Sequence, residues 1–558
     1  MRTHERSKQQ STRTAPLLAD RDDADSLSEP RFTIQQTPRS DDVVEGLPVQ
    51  IEKPFTIRGE AWAMFMLGWP MVISFVCRIG MASTDTAFVG HLKNETVGTF
   101  FDRAYSGEEY LAAASLSDMV VNILIVPPLA FNQVLNALVG QALGSNNKKM
   151  AGTWLQLSIF FLSTSYVPFM VLQYFLVADT LKLLGFDPDI CELAGVYARW
   201  NLFWPIPNGI YQCLRFYFQA QGLPRPAMWN NIAFLFVNAF LNWLFIFGGP
   251  LQYLPHGGWH GFGFIGAAMS ISVSRCLQPL TYWLYMFVYR RLHTDSWPGL
   301  SLDFLRPDRV RRFLVQALPL IGTLIFQSVS GQVTTLLIAQ LGTLAVSASS
   351  AVSAATQVAS SGLSAAFTAC AAVRIGYHLG RGDVRASKVT MWLVVSASIA
   401  TSVVTILILW PLRTELCELV TSDAEVIPVA SMLVAAAFVS AGLSQLVSIG
   451  TSGVLSGQGR TLVTTILSFG FELPTSIGGT ALLVYVAKLR GKEGLLKITW
   501  AGGGFSLIEV GVVAVVILCG NWKTYAAQAK ARQEAGSCPE GEAETAEVDV
   551  TDDQQQRA

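Results

Sequence analysis

The sequence is poor in charged residues, which make up only 14% of its 558 positions. Soluble chains carry about 25% Asp, Glu, Lys and Arg, so this deficit excludes a protein built only of water-soluble domains. The formal net charge of −1 provides no overall field that would attract nucleic acid. Apolar residues make up 51% of the chain, enough for about a dozen membrane helices at roughly 20 residues each.

The sequence also lacks paired cysteines and the motifs of several enzyme classes. Its eight cysteines show no C-x-x-C spacing, and seven lie in or beside apolar segments, where they are interpreted as small buried side chains. We find no H-E-x-x-H, G-x-S-x-G or G-x-x-x-x-G-K-[ST] motif. We therefore expect neither an enzyme nor an ATP-driven pump, and no cofactor.

Apolar blocks of about 20 to 30 residues alternate with short polar connections, which predicts twelve helices. The fold class that we predict is an all-α polytopic membrane protein with 12 transmembrane helices in two pseudo-symmetric six-helix lobes. No apolar region opens the chain, so helix 1 is expected to act as the insertion signal. The predicted parts are a disordered cytoplasmic tail (1–58), an N lobe (59–289), a cytoplasmic linker (290–309), a C lobe (310–520) and a disordered acidic cytoplasmic tail (521–558).

The distribution of basic residues predicts the orientation. The two tails and the even-numbered connections hold 26 Lys and Arg residues, whereas the odd-numbered connections hold eight. Because basic residues favour the cytoplasmic side, both termini are predicted to be cytoplasmic, in either the plasma membrane or the vacuolar membrane. The sequon at Asn94 falls in the first outward connection and is a candidate glycosylation site.

The two halves of the chain form an internal repeat. Three short sequence elements of the first half recur in the same order in the second half, at offsets of 236, 237 and 249 residues. They are Leu143-Gly144 with Leu379-Gly380, Gln221-Gly222 with Gln458-Gly459, and Pro70 with Pro319. Each repeat holds an even number of helices, so the repeats are parallel and related by an axis along the membrane normal. A substrate path is expected between the lobes.

Short motifs near the helix ends point to a family. They are Pro70 with DTAFVGHL (85–92), GQALG (140–144), QAQG (219–222), Asn238 with Asn242, GAA (266–268), VRIG (373–376) with Leu379-Gly380, and GVLSGQG (453–459). In this order they resemble the motifs of the MATE (multidrug and toxic compound extrusion) transporters of the eukaryotic type, from about residue 60 to residue 520. The resemblance implies a V-shaped exporter that exchanges its substrate for H⁺ or Na⁺. The helix-1 string is most similar to the branch that keeps an acid there, which includes plant organic-anion (citrate) exporters and prokaryotic drug exporters.

Asp85 is the leading candidate for the coupling site, because an unpaired carboxylate inside a bilayer tends to be protonated, paired or bound to an ion. It lies about 22 Å of helix beyond Pro70, which removes a backbone hydrogen bond and makes this part of the helix a hinge. Asn238 and Asn242 share one helix face, where they hydrogen-bond the carboxyl, coordinate Na⁺, or join helices as structural amides. We expect no metal site other than the alternative of Na⁺ at Asp85.

Helix 4 carries a polar stripe on an otherwise aromatic helix, with Asn201, Asn208 and Arg215 recurring every seven residues and Gln212 alongside. We expect this stripe to line the substrate cavity. Arg78 shares a face with Asp85 but lies two turns away, so any coupling between them requires water or a neighbouring helix. Charges elsewhere include Arg374, interpreted as a snorkelling anchor, and Glu472 and Glu509, either of which is an alternative titrating site.

The C lobe departs from the family pattern. Where eukaryotic drug-exporting MATE proteins resemble one another in carrying acids, this sequence has Gln327, Gln332 and Gln445, which we assign to the substrate cavity. An amide cannot titrate, so coupling is expected at Asp85 alone, and the loss of negative charge moves the expected substrate toward neutral or anionic compounds. We expect a monomer in the lipid bilayer, with a small-molecule substrate and without nucleic acid or ATP. The alternatives are a channel or a lipid flippase on a related two-lobed fold, or specifically an organic-anion exporter.

Overall fold

A computed structural model describes residues 55–92, 105–253, 259–299, 301–341, 343–418, 426–487 and 491–534. The predicted glycosylation site Asn94 lies outside these residues. In the N lobe the helices are α1 (Ile57–Gly90), α2 (Gly107–Gln133), α3 (Leu135–Gly144), α4 (Lys148–Leu183), α5 (Pro188–Trp200), α6 (Pro205–Ala220), α7 (Arg225–Phe247) and α8 (Phe264–Trp283). In the C lobe they are α9 (Pro307–Ala339), α10 (Thr343–Arg381), α11 (Val384–Leu409), α12 (Arg413–Glu418), α13 (Val426–Leu455), α14 (Thr461–Val486) and α15 (Gly491–Leu518), followed by α16 (Trp522–Glu534).

The described part of the chain holds nine helices that are long and apolar enough to cross a membrane, or ten when the bent α10 is counted. The two remaining predicted crossings are α8 and the pair α5 and α6. A break at Asn201–Trp204, just before Pro205, divides this pair. Pro205 and Pro207 explain this break, since Pro fits the first turn of a helix but not its interior.

The two repeats bend their first helices in the same way. In α1 the hydroxyl of Ser74 donates to the carbonyl oxygen of Pro70 at 2.8 Å, and in α9 the hydroxyl of Thr323 donates to that of Pro319 at 3.3 Å. Both pairs are related by the same offset of 249 residues. A proline interrupts the backbone ladder, and a hydroxyl bonded four residues back bends a helix further, so each lobe contains the same candidate hinge.

Two glycine pairs bring α3 and α10 into backbone contact between the lobes. A Cβ atom added at Gly144 would lie 2.0 Å from the carbonyl oxygen of Tyr377, and one added at Gly380 would lie 2.2 Å from that of Gln141. Gly140 and Gly376 face backbone carbonyl groups in the same reciprocal way. Each contact is repeated at an offset of 236 residues, so this glycine crossing lies on the pseudo-two-fold axis, and only residues without a side chain fit there.

Apolar side chains extend this contact between the lobes. Phe313 of α9 stacks on Phe131, Phe161 and Trp154 of the N lobe, with ring centroids 5.8 to 6.4 Å apart. Met64 of α1, which precedes Phe313 by the same 249 residues, packs into the apolar core of the C lobe. Each lobe therefore places one large side chain in the other.

The prediction of a disordered tail from residue 521 onward is wrong for α16. Its sequence is rich in helix-forming Ala, Gln, Lys and Arg, and buries Trp522, Ala526 and Ala529 on one face. Gln533 accepts a hydrogen bond from the indole of Trp154 at 3.2 Å, and Arg312 donates to the last carbonyl groups of α16. The acidic residues on which the prediction of disorder was based begin only at Glu534, the last residue of α16. The average composition of the whole tail therefore did not reveal the helix.

We call the face on which α1 begins and α16 lies the terminal face. There, Arg532 of α16 donates hydrogen bonds to the side-chain oxygen of Gln141 in the N lobe and to the backbone oxygen of Gln458 in the C lobe, at 3.1 and 3.2 Å. Burial, together with the nearby charge of Arg312, lowers the pKa of Arg532 to about 10, so it remains charged at neutral pH. The last helix thus connects both lobes on this face.

Candidate functional site

The carboxyl group of Asp85 lies at the centre of a hydrogen-bond network in the N lobe. Its Oδ1 atom accepts hydrogen bonds from the side-chain amides of Asn238 at 2.6 Å and Asn242 at 2.7 Å. Both asparagines are fully buried on α7, one turn apart on the face that packs against α1. The structure thus brings together the three residues that the sequence suggested.

Ser270 of α8 extends this network. Its hydroxyl lies 2.5 Å from the Oδ1 atom of Asn242 and 2.9 Å from the backbone oxygen of Ala267. The Oδ1 atom of Asn238 is buried and has no hydrogen-bond partner. The network therefore contains one free acceptor and one hydroxyl shared between two acceptors, which gives it a choice of hydrogen-bond arrangements.

Three further residues near Asp85 were not identified as site residues from the sequence. The positive charge of Arg275 on α8 and the negative charge of Asp118 on α2 both act on Asp85. The charges of both acids also act on the buried hydroxyl of Tyr197 on α5. Asp118 is exposed and Tyr197 is buried. Asp118 and Arg275 are lone charges in apolar stretches, a signal that was visible in the sequence but that no motif singled out, whereas nothing in the sequence distinguished Tyr197.

The polar stripe of helix 4 is divided between two helices. Asn201 lies at the break and is buried with an unpartnered Oδ1 atom, whereas Asn208, Gln212 and Arg215 belong to α6. The Oε1 atom of Gln212 accepts a hydrogen bond from Arg215 at 2.5 Å. All four side chains are buried, so the stripe faces the interior of the N lobe and not lipid.

In the C lobe, two of the predicted cavity residues bond within the lobe. Gln327 of α9 donates to Glu472 of α14 at 3.4 Å, and Gln445 of α13 donates to Ser398 of α11 at 2.7 Å. Gln332 lies in α9, but its side chain is outside the described residues. Glu509 of α15 is buried with an unpartnered Oε1 atom, and its charge is coupled to that of Glu472.

The interpretation of Arg374 as a snorkelling anchor is wrong. Its guanidinium group makes two hydrogen bonds to the buried carboxylate of Glu60 at the start of α1, and Thr390 and His378 contact the same carboxylate at 3.0 and 3.2 Å. Since Glu60 lies in the N lobe and its partners in the C lobe, this Glu60 cluster joins the lobes on the terminal face. Sequence position alone placed Arg374 near a membrane surface and did not reveal its partner.

The described residues contain no group of three or more His, Cys, Asp or Glu side chains arranged to hold a metal ion. At Asp85 both amides present N–H donors to the carboxylate. In the described arrangement, the two amides thus act as hydrogen-bond donors to an ionised carboxylate.

Comparisons with known proteins agree with this architecture. The sequence profile of the MatE family matches residues 70–244 and 319–477, more than half of the chain, and its two parts begin at the two hinge prolines. The chain is 26% identical to an uncharacterized transporter of Schizosaccharomyces pombe, over 88% of this chain and 85% of that protein. It is likewise 26% identical to human multidrug and toxin extrusion protein 1, over 85% of this chain and 77% of that protein.

Solved structures show the same fold. The crystal structure of the eukaryotic MATE transporter AtDTX14 superposes with a TM-score of 0.70 at 21% identity, covering 86% of this chain and 99% of that one. This similarity confirms the predicted all-helical fold with two lobes. The chain is a multi-pass integral membrane protein of the MATE family of transporters, of the eukaryotic type, and is not an enzyme.

Proposed function

We propose that this transporter exports organic compounds by alternating access, in exchange for H⁺ that binds at Asp85. The observation that supports this proposal is the pair of hydrogen bonds from buried Asn238 and Asn242 to a single carboxyl oxygen on a proline-hinged helix. Na⁺ is the alternative coupling ion. The terminal face is proposed to be cytoplasmic, in the plasma or the vacuolar membrane, and the protein to act as a monomer.

Protonation of Asp85 would rearrange its hydrogen bonds. The ionised carboxylate accepts from both amides, whereas a protonated carboxyl must also donate. Rotation of the Asn242 amide would turn its oxygen toward Asp85 and its N–H toward Ser270, whose hydroxyl would then donate only to the carbonyl oxygen of Ala267. The alternative acceptor is the unpartnered Oδ1 atom of Asn238. Either change alters how α1 is held against α7 and α8.

The contacts between the lobes indicate which conformation the structure represents. The glycine crossing, the Glu60 cluster and α16 all join the lobes at the terminal face. If this face is cytoplasmic, the described conformation is closed toward the cytoplasm and a bound compound has access from the other side. Bending of α1 at Pro70 would then link the state of Asp85 to the Glu60 cluster, since both acids lie on the same helix.

Transport by reconstituted protein tests the proposal. Wild type and Asp85→Asn are compared in proteoliposomes loaded with ethidium, fluorescein or citrate, under an imposed pH gradient or an imposed Na⁺ gradient. We expect the pH gradient to drive export by wild type and the variant to lose at least about tenfold in rate, as expected when a group essential for proton transfer is removed.

Asp179→Asn is the matched control, because it makes the same change at an exposed carboxyl on α4 of the same lobe, outside the network around Asp85. We expect it to keep most of the driven transport. Export driven by Na⁺ alone would make Asp85 a sodium ligand. Driven export by Asp85→Asn at the wild-type rate would show that coupling occurs elsewhere.

A further inference from the structure

Three arginines meet inside the N lobe. Arg78 lies on α1, Arg215 on α6 and Arg275 on α8. The guanidinium group of Arg215 stacks 5.2 Å from the ring of Phe75, one turn before Arg78 on the same helix. The charges of Arg215 and Arg275 both act on Arg78, and all three act on the buried hydroxyl of Tyr211. We call these three residues the arginine cluster.

The arginine cluster has too few negative charges to balance it. None of its members forms an ion pair with any of the described residues, and only Arg275 has a carboxylate, that of Asp85, among the charges that act on it. Buried cations without partners are strongly unfavourable, and like charges held together add to this penalty. Either the cluster destabilises the lobe, or an anion completes it.

Arg215 has buried hydrogen-bond donors without partners. The residue is 1% exposed, and while its Nη2 atom donates to Gln212, its Nε and Nη1 atoms are buried without any partner. Stacking against Phe75 and Phe216, at 5.2 and 4.7 Å, holds the plane of the guanidinium group. A fixed guanidinium group with two free N–H directions suits a carboxylate or phosphate, which it binds through paired hydrogen bonds.

Arg78 and Arg275 are less buried than Arg215, and each keeps part of its surface exposed. Part of each side chain is therefore accessible to a solute. The charge of Arg275 acts on both Asp85 and Arg78, so it couples the proposed proton site electrostatically to the arginine cluster. Arg78 and Asp85 lie two turns apart on α1, too far for a direct contact. Arg275 on the neighbouring helix α8 acts on both and can therefore couple their charges.

We infer that the arginine cluster is a binding site for the anionic group, a carboxylate or a phosphate, of the transported compound. This inference rests on the proposed export function and names its substrate class. Arg215 provides the buried, oriented donors, and Arg78 and Arg275 provide the accessible charges around them. A compound that is only cationic is repelled by three positive charges in this lobe.

Equilibrium binding tests the inference without any ion gradient. Fluorescein, which carries a carboxylate, is titrated onto the purified protein in detergent at pH 7.5, and binding is followed by anisotropy, with citrate, inorganic phosphate and ethidium as competitors. We expect Arg78→Gln and Arg275→Gln each to weaken binding by about tenfold or more, as for loss of a charge-assisted hydrogen bond. Citrate or phosphate should compete with fluorescein and ethidium should not.

Two further variants control for charge and for folding. Arg199→Gln removes an exposed arginine of the same lobe, which stacks on Tyr174, and should leave binding unchanged. Arg275→Lys keeps the charge and should retain most of the affinity. Since removal of an unpaired cation relieves repulsion, the Gln variants should unfold at no lower temperature than wild type in the absence of anions.

Unchanged fluorescein affinity in both Arg78→Gln and Arg275→Gln, or displacement of fluorescein by ethidium, would overturn the inference. The outcome is separable from that of the coupling proposal. Asp85→Asn removes a negative charge that acts on Arg275, so it should keep or strengthen fluorescein binding even when it abolishes driven export. If driven export survives Asp85→Asn while binding still depends on the arginines, the anion site stands and the coupling site does not.

Discussion

The two lobes share a fold but carry opposite charges in their interiors. The N lobe places Arg78, Arg215 and Arg275 in its spanning helices together with Asp85 and Asp118. The C lobe has no charged residue in the long stretches 313–372, 389–412 and 426–459, and its central charges are Glu472 and Glu509. A duplicated fold therefore specifies the positions of helices and hinges, while the chemistry of each interior is set by single residues.

One pair of related positions illustrates this difference. At the offset of 249 residues that relates the two hinge prolines, Arg78 corresponds to Gln327. In the N lobe the position contributes a cation to the arginine cluster, whereas in the C lobe it contributes an amide that donates to Glu472. The same place on the same helix thus belongs to a positive interior in one lobe and to an acidic interior in the other.

The largest expected effect on folded protein comes from substitutions in the glycine crossing, the contact that both repeats contribute to in the same way. Gly144→Ala and Gly380→Ala each place a Cβ atom about 2 Å from a backbone oxygen of the facing helix, a distance that only separation of α3 and α10 can relieve. We expect both to remove nearly all of the monodisperse protein in size-exclusion chromatography, because neither helix backbone can move aside within a packed interface. Equal losses from the two would support the pseudo-two-fold axis.

Gly511→Ala is the control for the glycine crossing, since a Cβ atom there meets nothing within 4 Å. It should behave like wild type. A normal yield for Gly144→Ala would show that the two helices do not touch through their backbones.

The next effect concerns the Glu60 cluster, which joins the lobes. Glu60→Gln leaves Arg374 without its carboxylate in a largely buried position, which costs about 3–5 kcal/mol when a buried ion pair loses one partner. We expect a clear fall in the thermal unfolding midpoint and greater access of a cysteine-reactive probe to the terminal face. Lys182→Gln, which removes an exposed pair with Glu192, should change stability by about 1 kcal/mol at most.

A substitution at Gln327 sharpens the contrast in charge. Gln327→Glu adds a carboxylate beside Glu472 and should tighten binding of ethidium by about tenfold, because closely spaced carboxylates attract a cation. Gln327→Met, which removes the hydrogen bond without adding charge, should not have this effect. Ethidium affinity is measured by fluorescence. An affinity that neither substitution changes would show that solutes do not reach the acids of the C lobe.

The smallest effect is expected at α16, which belongs to the end of the C lobe but bonds to the N lobe. Gln533→Ala removes the hydrogen bond to the indole of Trp154 and should destabilise the protein by about 1 kcal/mol. Thermal unfolding followed by tryptophan fluorescence measures this change. A drop as large as that of Glu60→Gln would mean that α16 stabilises the closed terminal face more than its polar contacts indicate.

The sequence predicted those features that depend on local pattern. Helix number follows from the length of apolar segments, the break before Pro205 follows from proline chemistry, and the grouping of Asp85 with Asn238 and Asn242 follows from their spacing and from the family motif. Contacts between distant segments were not predictable in this way. Glu60 and Arg374 are 314 residues apart, and α16 is recognisable only by the faces that it buries against other helices.

The interiors of the lobes show the same limit. Arg275 and Asp118 stood out in the sequence as lone charges, but nothing local indicated that both act on Asp85. Arg215 was assigned to a cavity-lining stripe, and only its contact with Phe75 of α1 shows that it lies beside another arginine of a different helix, with donors that have no partner. Electrostatic groups assembled from several helices require the fold before they can be identified.

The glycine crossing has a consequence for how the chain is put together. Each contact in it occurs twice, with the roles of the two helices exchanged, which is the property of an isologous interface between identical subunits. The two lobes thus meet as the halves of a fused dimer do, through a surface that is complementary to itself. Fragments 1–299 and 301–558, produced as separate chains in one cell, should therefore associate into a complex without a peptide bond between them.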